Sequence, residues 1–385
     1  MGRRVIAAPK ALPDPPKGKG DKLAALAGRM KNWRPAREIL KPVQAVPTIF
    51  PWLDFTTKVN GYPTQRVCVA HGPSAEGKTE LALGLGLSFL KKGHLFAHVD
   101  AEYTTPITWL QDLMQGEADN PLFMALRPKS YEQTVDAVRE VLKMMIAGKK
   151  SGDLRPETSG LVVIDSFRKL VPENFLAKIA RFGAQGAKGS VDGMNGMGAA
   201  VKAKMNADWL DELTPMLYES GAGMLIIGRE SENRDGKATG QDWKLTGGKS
   251  LLFESSLMMR VERDWVREGT GDESVVVGER HDVGVYKSKV AGKGEEVETF
   301  SFFTSNGKLS PEGFDPARDL FELGIVLETV KQSGSWYSFG GKRWQGKGQA
   351  VKRLAADPAL REQLDAAIRR EFAKTAVDRK EVARG

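Results

Sequence analysis

The sequence is poor in cysteine and has no long apolar run, and both absences narrow the class of protein. Cys68 is the single cysteine among 385 residues, which excludes a disulfide within the chain and fits a reducing compartment. Its apolar surroundings, Val67–Ala70, predict a buried structural thiol. The longest clearly apolar run, Leu81–Leu90, is too short to span a bilayer. Because the N-terminus also lacks an apolar secretory core, we expect a cytoplasmic protein that does not bind membranes.

Acidic residues are scarce near the N-terminus. Residues 1–42 contain eleven lysines or arginines and three acids, and this excess equals the whole net charge of +8. A basic arm of this kind often binds nucleic acid, but a solvated tail has the same composition. Proline and glycine in the first twenty residues predict an unstructured lead-in. Leu23–Leu40 is predicted to be helical, because its apolar residues recur at helical spacing.

Short apolar runs alternate with helical segments through the middle of the chain. Uniformly apolar strands are typical of a parallel sheet that helices cover on both faces. The sequence therefore predicts an α/β fold with a mostly parallel sheet. The predicted strands are Arg66–Ala70, Leu95–Val99, Leu161–Ile164 and Met224–Ile227, and the predicted helices are Glu80–Lys92, Tyr131–Ala147 and Ala199–Glu219.

Beyond Leu251 the pattern changes to alternating runs without long helices, which predicts antiparallel strands that extend the sheet. These runs are Leu257–Val261, Ser274–Val277, Val283–Lys287 and Thr299–Phe303. The last segment is predicted to be a small helical or α+β domain. We expect three parts: a basic arm over residues 1–50, a core over 51–310 and a C-terminal domain over 311–385.

Two segments of the core are predicted to be long loops. Gly183–Gly198 has six glycines in sixteen residues, and Glu230–Gly248 is polar and rich in glycine, lysine and aspartate. Both follow core strands, at the edge where α/β sheets hold ligand-binding loops. We therefore expect both segments to contact a ligand.

A phosphate-binding motif lies between a predicted strand and a predicted helix. The glycines let backbone N–H groups approach phosphates, and the helix N-terminus favours negative charge. Lys78 is expected to reach the β- and γ-phosphates, and the Thr79 hydroxyl to ligate Mg²⁺. A chance glycine turn is the much weaker alternative in this context. The predicted nucleotide-binding residues are Gly72, Pro73, Ser74, Ala75, Glu76, Gly77, Lys78, Thr79 and the following Glu80.

Two carboxylates follow neighbouring predicted strands. Asp165 ends the strand Leu161–Ile164, where an acid can hold the Mg²⁺ hydration shell opposite Thr79. A helix-capping aspartate is the alternative, and a phosphate loop nearby favours the metal role. Glu102 follows the strand Leu95–Val99, where a carboxylate can orient or deprotonate an attacking water. Taken alone, Glu102 is equally consistent with an ordinary surface glutamate.

Several short motifs resemble those of the RecA recombinases in content and order. They are Asp100-Ala101-Glu102, Val163-Ile164-Asp165-Ser166, Thr246-Gly247-Gly248 and Tyr286-Lys287-Ser288-Lys289-Val290, followed near the C-terminus by Ser335-Trp336-Tyr337-Ser338-Phe339 and Gln345-Gly346-Lys347-Gly348. The C-terminal motifs discriminate best, because phosphate-loop ATPases at large do not share that domain. The resemblance covers roughly residues 20–375.

The resemblance implies a RecA-like ATPase core that uses ATP and Mg²⁺ and forms a helical homo-oligomeric filament on single-stranded DNA. Glu102 would be the hydrolytic carboxylate, and Lys287 and Lys289 would reach the γ-phosphate held by the neighbouring subunit. Trp109 would stack on adenine, and the arm's helix would support oligomerisation. Phe253 would lie at the filament interface, and a core aromatic on a sheet edge is the equally good alternative for it. The two predicted loops would bind DNA, through Met197 and Gly198 in the first and Arg229, Arg234, Lys237, Lys244, Gly247 and Gly248 in or beside the second.

The sequence departs from the family pattern before the second loop. The family usually has Asn-Gln there, and its Gln senses the γ-phosphate, whereas this chain has Gly228-Arg229. An arginine at this position is consistent with sensing phosphate charge or with contacting DNA. The first predicted loop is also longer and richer in glycine than usual, and the chain lacks the acidic tail of many bacterial members.

The C-terminal segment 331–353 is basic and aromatic, with six lysines or arginines and no acid. Charges attract phosphates and exposed aromatic rings stack on bases, so duplex DNA is the favoured ligand. Some of the rings must instead form the core of the small domain, and we predict Trp336 and Phe339 for this role. Taken together, these features predict a DNA-dependent ATPase that promotes pairing and strand exchange in recombination and repair. A hexameric helicase and a non-catalytic ATP-binding filament protein are the alternatives.

Overall fold

The computed structural model describes residues 42–166, 171–174, 176, 192–232, 243–245, 249–269, 274–290 and 298–382. The chain divides at Pro42 into two units, Met1–Pro42 and Val43–Gly385. The predicted helix Leu23–Leu40 and most of the first predicted loop lie outside the described residues. Within the described ranges, no helix is long and apolar enough to cross a membrane.

A nine-stranded sheet organises the core. Its parallel part contains, in spatial order, β10 (Leu257–Glu268), β3 (Val67–His71), β7 (Ala222–Ile227), β6 (Gly160–Asp165), β4 (Leu95–Asp100) and β5 (Phe123–Leu126). The strand β10 then pairs in antiparallel fashion with β11 (Val275–Ser288), which is followed by β12 (Glu298–Ser305) and β13 (Gly313–Phe314). The predicted α/β fold with an antiparallel extension is therefore confirmed.

Alternating side chains of the central strands enter two separate apolar cores. In β3, Cys68 and Ala70 pack against one face, where α1 (Pro51–Thr56), α2 (Lys78–Leu90) and α3 (Ile107–Met114) lie. Val67 and Val69 pack against the other face, covered by α4 (Tyr131–Ser151) and α5 (Asp192–Ser220). Because both faces are covered, the strands are apolar on both sides. The Cys68 thiol is buried as predicted, and burial raises its pKa to about 12.

The structure corrects the last part of the loop predicted over Gly183–Gly198. The helix α5 begins at Asp192, so residues 192–198, including Met197 and Gly198, are helical. Glycine disfavours helix by about 1 kcal/mol per residue. However, extending a helix that already exists avoids the cost of nucleation, and Trp209, Leu210 and Leu213 anchor the same helix in the core. The predicted strands Ser274–Val277 and Val283–Lys287 are likewise parts of the single strand β11.

Two short strand pairs and one short helix also belong to the core. The strands β1 (Ala45–Val46) and β2 (Tyr62–Pro63) pair with each other, as do β8 (Glu230–Glu232) and β9 (Trp243–Leu245). The helix α6 (Lys249–Glu254) immediately precedes β10. The antiparallel pair β8–β9 therefore forms the stem of the second predicted loop.

The C-terminal region is α+β. A sheet of β14 (Lys331–Ser333), β15 (Trp336–Phe339) and β16 (Lys342–Gln345) accompanies α7 (Pro316–Val326), α8 (Lys347–Ala356) and α9 (Pro358–Val382). Tyr337 and Trp344 are buried in its core, whereas Trp336 is 37% exposed. The prediction that Trp336 is a core residue was wrong, because alternation along a strand puts residues 336 and 339 on opposite faces. Phe339 is partly buried against that core, as expected.

A buried carboxylate joins the core to the C-terminal region. Asp54 of α1 accepts hydrogen bonds from the Thr48 backbone N–H at 3.0 Å and from Arg369 Nη1 of α9 at 3.2 Å. Beside them, the rings of Phe55 and Phe372 stack with centroids 4.4 Å apart. The guanidinium of Arg369 therefore compensates a charge that is almost entirely removed from water.

Removing this guanidinium is expected to destabilise the fold in a pH-dependent way. Burial raises the pKa of Asp54 from 3.8 to about 6, so ionising Asp54 costs stability as the pH rises through that window. Arg369→Ala is expected to lower the free energy of unfolding by about 2 kcal/mol near pH 7.5, and by much less near pH 5, where Asp54 is protonated. Urea denaturation at both pH values measures this. The neighbouring Arg370→Ala, at an exposed position, is the control, and an equal loss at both pH values would contradict the assignment.

Candidate active site

Two glycines allow the phosphate loop to lie directly against the antiparallel half of the sheet. The loop leaves β3 at Gly72, with φ of 150°, and enters α2 at Gly77, with φ of 95°. A Cβ atom at Gly72 would collide with the carbonyl of Val261 on β10, and one at Gly77 with the His281 ring on β11. The motif therefore requires glycine at both positions for packing as well as for backbone conformation.

Lys78 and Thr79 open α2 and face the end of β6. The ammonium of Lys78 donates to the carbonyl of Pro73, and burial lowers the pKa of Lys78. The Thr79 hydroxyl donates to Asp165 Oδ2 at 2.6 Å. The helix N-terminus, a partly buried ammonium and a hydroxyl–carboxylate pair thus converge at one point, which is an arrangement suited to an anion with a hard cation.

Glu76 and Glu80 flank this point in different ways. The Glu76 carboxylate accepts a hydrogen bond from the backbone N–H of Arg263 on β10 at 2.5 Å, so it ties the loop to the neighbouring strand. Burial raises the pKa of Glu80. Glu80 lines the phosphate-loop cavity of about 90 Å³ and also a second cavity of about 250 Å³ that Trp109 borders. The predicted adenine-stacking residue therefore lies on a cavity that shares a wall with the phosphate loop.

Glu102 lines the same cavity as Lys78 and lies in the turn after β4. Arg229 Nη2 lies 2.8 Å from both carboxylate oxygens of Glu102, and the Ser166 hydroxyl donates to Oε1. Glu102, Asp165 and Arg229 line the same cavity as the phosphate loop. The parallel strands β4, β6 and β7 end side by side, which explains why residues so far apart in sequence meet here.

Sequence reasoning missed a polar cluster behind the loop. Buried His71, the last residue of β3, contacts Glu230 Oε1 through Nδ1 at 2.7 Å and Tyr286 through Nε2. Burial lowers the pKa of His71 to about 4, against the opposing effect of Glu230, so the imidazole is neutral near pH 7. Arg260 Nε donates to the same Glu230 oxygen at 2.8 Å, and the Trp243 ring lies 4.6 Å from that of His71.

The only signal of this cluster in the sequence is a histidine at the end of an apolar strand. His281 was missed for a similar reason, since it lies within the alternating strand β11. Its buried ring stacks on Phe302 with centroids 4.5 Å apart, and Nδ1 lies 3.2 Å from the Glu76 carbonyl. Burial lowers the pKa of His281 to about 4. It therefore supports the phosphate loop as a neutral ring.

The two lysines at the end of β11 are outside this cavity within one subunit. Lys289 Nζ lies 2.5 Å from the Phe253 carbonyl, and Lys287 Nζ lies 3.3 Å from the same oxygen. Burial, together with the charge of Lys289, lowers the pKa of Lys287 to about 8. Both ammonium groups thus share one face and bind the C-terminal end of α6, beside the side chain of Phe253, which is 67% exposed.

The predicted DNA contacts are only partly described. The backbone at Met197 and Gly198 belongs to α5, Lys244 is exposed on β9, and Arg229 points to Glu102. The other predicted contacts lie outside the described residues: Arg234, Lys237, Gly247 and Gly248.

Comparison with known proteins gives a consistent assignment along the chain. The RecA N-terminal domain model matches residues 36–307, and the RecA C-terminal domain model matches residues 318–373. Protein RecA of Chlorobium limicola is 32% identical over 335 residues, covering 87% of this chain and 84% of that protein. Protein RecA of Kineococcus radiotolerans is 29% identical over 358 residues, covering 91% of each. Protein RecA of Xylella fastidiosa strain M12 is 27% identical, covering 92% and 91%.

The match to both RecA domains agrees with the resemblance inferred from short motifs. A hexameric helicase does not require the second of these domains. The chain therefore belongs to the RecA family of DNA-dependent ATPases and recombinases, which act in recombination and repair, bind nucleotide and DNA, and form filaments.

Proposed function

We propose that this chain hydrolyses ATP at the phosphate-loop cavity, and does so as a filament on single-stranded DNA that pairs with a homologous duplex. The observation that carries the proposal is the convergence of Lys78, Thr79, Asp165 and Glu102 on one cavity of about 90 Å³. These groups come from three separate segments of the chain, since Lys78 and Thr79 are consecutive. Together they supply a phosphate-binding cation, two oxygen ligands for a metal and a candidate base.

The oxygen donors present fit Mg²⁺. Mg²⁺ is usually held by one or two protein oxygens together with substrate phosphates, and the Thr79 hydroxyl and the Asp165 carboxylate lie 2.6 Å apart. No group of three or more acidic, histidine or cysteine ligands occurs within the described part of the chain, so a self-sufficient metal cage is not formed there. Bound with the phosphates, Mg²⁺ would neutralise charge that develops during transfer.

The residues of the chain bind the phosphates and the base and activate the attacking water. Backbone N–H groups of the loop and Lys78 bind the phosphates. Glu102 orients the attacking water and accepts its proton. Trp109 and Glu80 border the 250 Å³ cavity, which is large enough for a purine ring. Lys287 and Lys289 complete the site of a neighbouring subunit, after exchanging the α6 carbonyls for the terminal phosphate.

We assign the three parts of the chain to three tasks. Residues 1–50 form the basic arm that links subunits, residues 51–310 the ATPase core with both DNA-binding loops, and residues 311–385 the duplex-binding domain. The C-terminal region contains a groove of about 1160 Å³ whose walls include Lys342, Arg343 and Arg353. Of these, Arg343 also lies 4.4 Å over the ring of the exposed Trp336.

Lys78→Ala is expected to abolish ATP hydrolysis and nucleotide-supported DNA binding. Lys78 is the cation at the helix N-terminus itself, whereas Arg229, the other cation that lines the cavity among the described residues, is paired with Glu102. Lys92→Ala, at an exposed position beyond the same helix, is the matched control and should keep full activity. Hydrolysis and single-stranded DNA binding by fluorescence anisotropy measure both effects. Hydrolysis retained in Lys78→Ala would place the active site elsewhere.

A mixing experiment tests whether the active site is shared between subunits. Glu102→Gln should bind ATP and form persistent DNA complexes, while a Lys287→Ala, Lys289→Ala protein keeps Glu102 but loses the donating face. Each protein alone is expected to be nearly inactive in DNA-stimulated hydrolysis. An equal mixture should regain up to about a quarter of parent activity, because about a quarter of head-to-tail interfaces then join two intact faces. A mixture as inactive as its components, with co-assembly shown by differently tagged subunits, would contradict action across the interface.

The C-terminal groove is expected to bind duplex DNA through its charges. Arg343→Ala with Arg353→Ala should weaken duplex binding for every sequence and reduce the salt dependence by about two counterions. Hydrolysis stimulated by single-stranded DNA should remain. Lys150→Ala with Arg155→Ala removes the same charge from exposed positions of the core and serves as the control. Equal effects of the two pairs on duplex binding would argue against a groove-specific role.

A further inference from the structure

The ion pair between Arg229 and Glu102 occupies the carboxylate that the proposed reaction needs. Arg229 Nη2 lies 2.8 Å from each of the two oxygens of Glu102. The Ser166 hydroxyl donates to one of the same oxygens. A carboxylate must offer a free oxygen to a water in order to orient it. A carboxylate has about four lone-pair positions, but Arg229 and Ser166 contact both of its oxygens here, so a water has to compete with them before Glu102 can act as a base.

The guanidinium lies where a terminal phosphate would attract it. Arg229 lines the same 90 Å³ cavity as Gly77, Lys78 and Thr79. Its charge also contributes to the lowered pKa of Lys78, after the larger effect of burial, so two cations face one small space. Two converging cations at a helix N-terminus favour an anion between them. A phosphate and a carboxylate are both good partners for the planar fork of an arginine.

Hydrogen bonds of its two neighbours in sequence fix the backbone on either side of Arg229. Glu230 binds His71 at 2.7 Å and Arg260 at 2.8 Å, and Gly228 N–H donates to the Ala70 carbonyl at 2.8 Å. The residues on both sides of Arg229, Gly228 and Glu230, are thus fixed to β3 and β10. A change of partner by Arg229 is accordingly a movement of its side chain, which is 31% exposed.

We propose that Arg229 withholds Glu102 from catalysis until the terminal phosphate of bound ATP takes over the guanidinium. The proposal rests on the proposed nucleotide site. ADP has no terminal phosphate, so with ADP the pair with Glu102 persists and Glu102 stays inactive. With ATP, Arg229 binds the phosphate and Glu102 is released towards the attacking water. Arg229 is then a catalytic residue that contacts substrate, and the carboxylate and the phosphate compete for it.

The competition of Glu102 and the terminal phosphate for Arg229 predicts how each variant changes the affinities for ATPγS and ADP. The full chain without DNA is titrated with a fluorescent ADP analogue in Mg²⁺ buffer, and ADP and ATPγS are measured by displacement. Arg229→Gln is expected to lower the preference for ATPγS over ADP by about tenfold, the difference between a charge-assisted and a neutral hydrogen bond. Affinity for ADP should not change.

Glu102→Gln is expected to have the opposite effect. The change removes the carboxylate charge that competes with the phosphate for the guanidinium, so affinity for ATPγS should rise by about tenfold while that for ADP stays constant. The double variant should behave like Arg229→Gln, because Glu102 acts on ATPγS only through Arg229. The measurement on Glu102→Gln tests the proposal even if the Arg229→Gln protein does not fold.

Arg139→Gln is the control, since Arg139 also pairs with a glutamate: its Nε and Nη2 donate to Glu212 at 2.7 and 3.0 Å, between α4 and α5. It should leave the affinities for ADP and ATPγS unchanged.

An unchanged preference for ATPγS over ADP in Arg229→Gln, with weaker single-stranded DNA binding, would overturn the proposal and make Arg229 a DNA contact. An unchanged preference in Glu102→Gln would also overturn it, since no competition would exist. If the parent protein does not bind the fluorescent ADP, it is the proposed nucleotide site that fails.

Discussion

The close approach of the phosphate loop to β10 and β11 is the constraint on which the active site depends. Gly72 and Gly77 have no side chain, so the loop lies against the Val261 backbone and the ring of His281. The Glu76 carboxylate then fixes the loop to β10 through the Arg263 N–H. Because the loop also begins at the end of β3, it is held by the parallel and the antiparallel parts of the sheet at once. That position creates the two cavities that share Glu80 as a wall.

Charge accounts for most of the geometry inside the cavity. Lys78 and Arg229 are the cations that line it, and each has a nearby protein acceptor, the Pro73 carbonyl for Lys78 and Glu102 for Arg229. The Asp165 carboxylate accepts from Thr79. These contacts satisfy polar groups that burial removes from water. A phosphate has to replace some of them, so the cost of breaking these contacts is subtracted from the affinity for nucleotide.

The sequence was sufficient for the parallel core because its strands are uniformly apolar and its motifs are local. The phosphate loop, the four core strands and the antiparallel extension were predicted from runs of a few residues. Prediction failed where tertiary contacts outweigh local composition, as at residues 192–198, whose glycines continue a helix anchored further along. It failed again at Trp336, where the strand register decides which aromatic ring is buried. His71, His281 and Glu230 carry little local signal beyond a histidine that ends an apolar strand, because their partners lie on other strands.

Arg229 and Glu230 connect the active site to the stem of the second predicted loop. Arg229 binds Glu102 at the nucleotide cavity, while Glu230 opens β8 and binds His71 and Arg260. The strand β8 pairs with β9, whose Trp243 lies against His71 and 5.7 Å from the Arg260 guanidinium. The Glu230 contacts hold the stem to β3 and β10, because a carboxylate buried between a histidine and an arginine is costly to separate from them. A side-chain movement of Arg229 can therefore occur without displacing the stem, whereas a shift of the backbone at Gly228 would have to break these contacts.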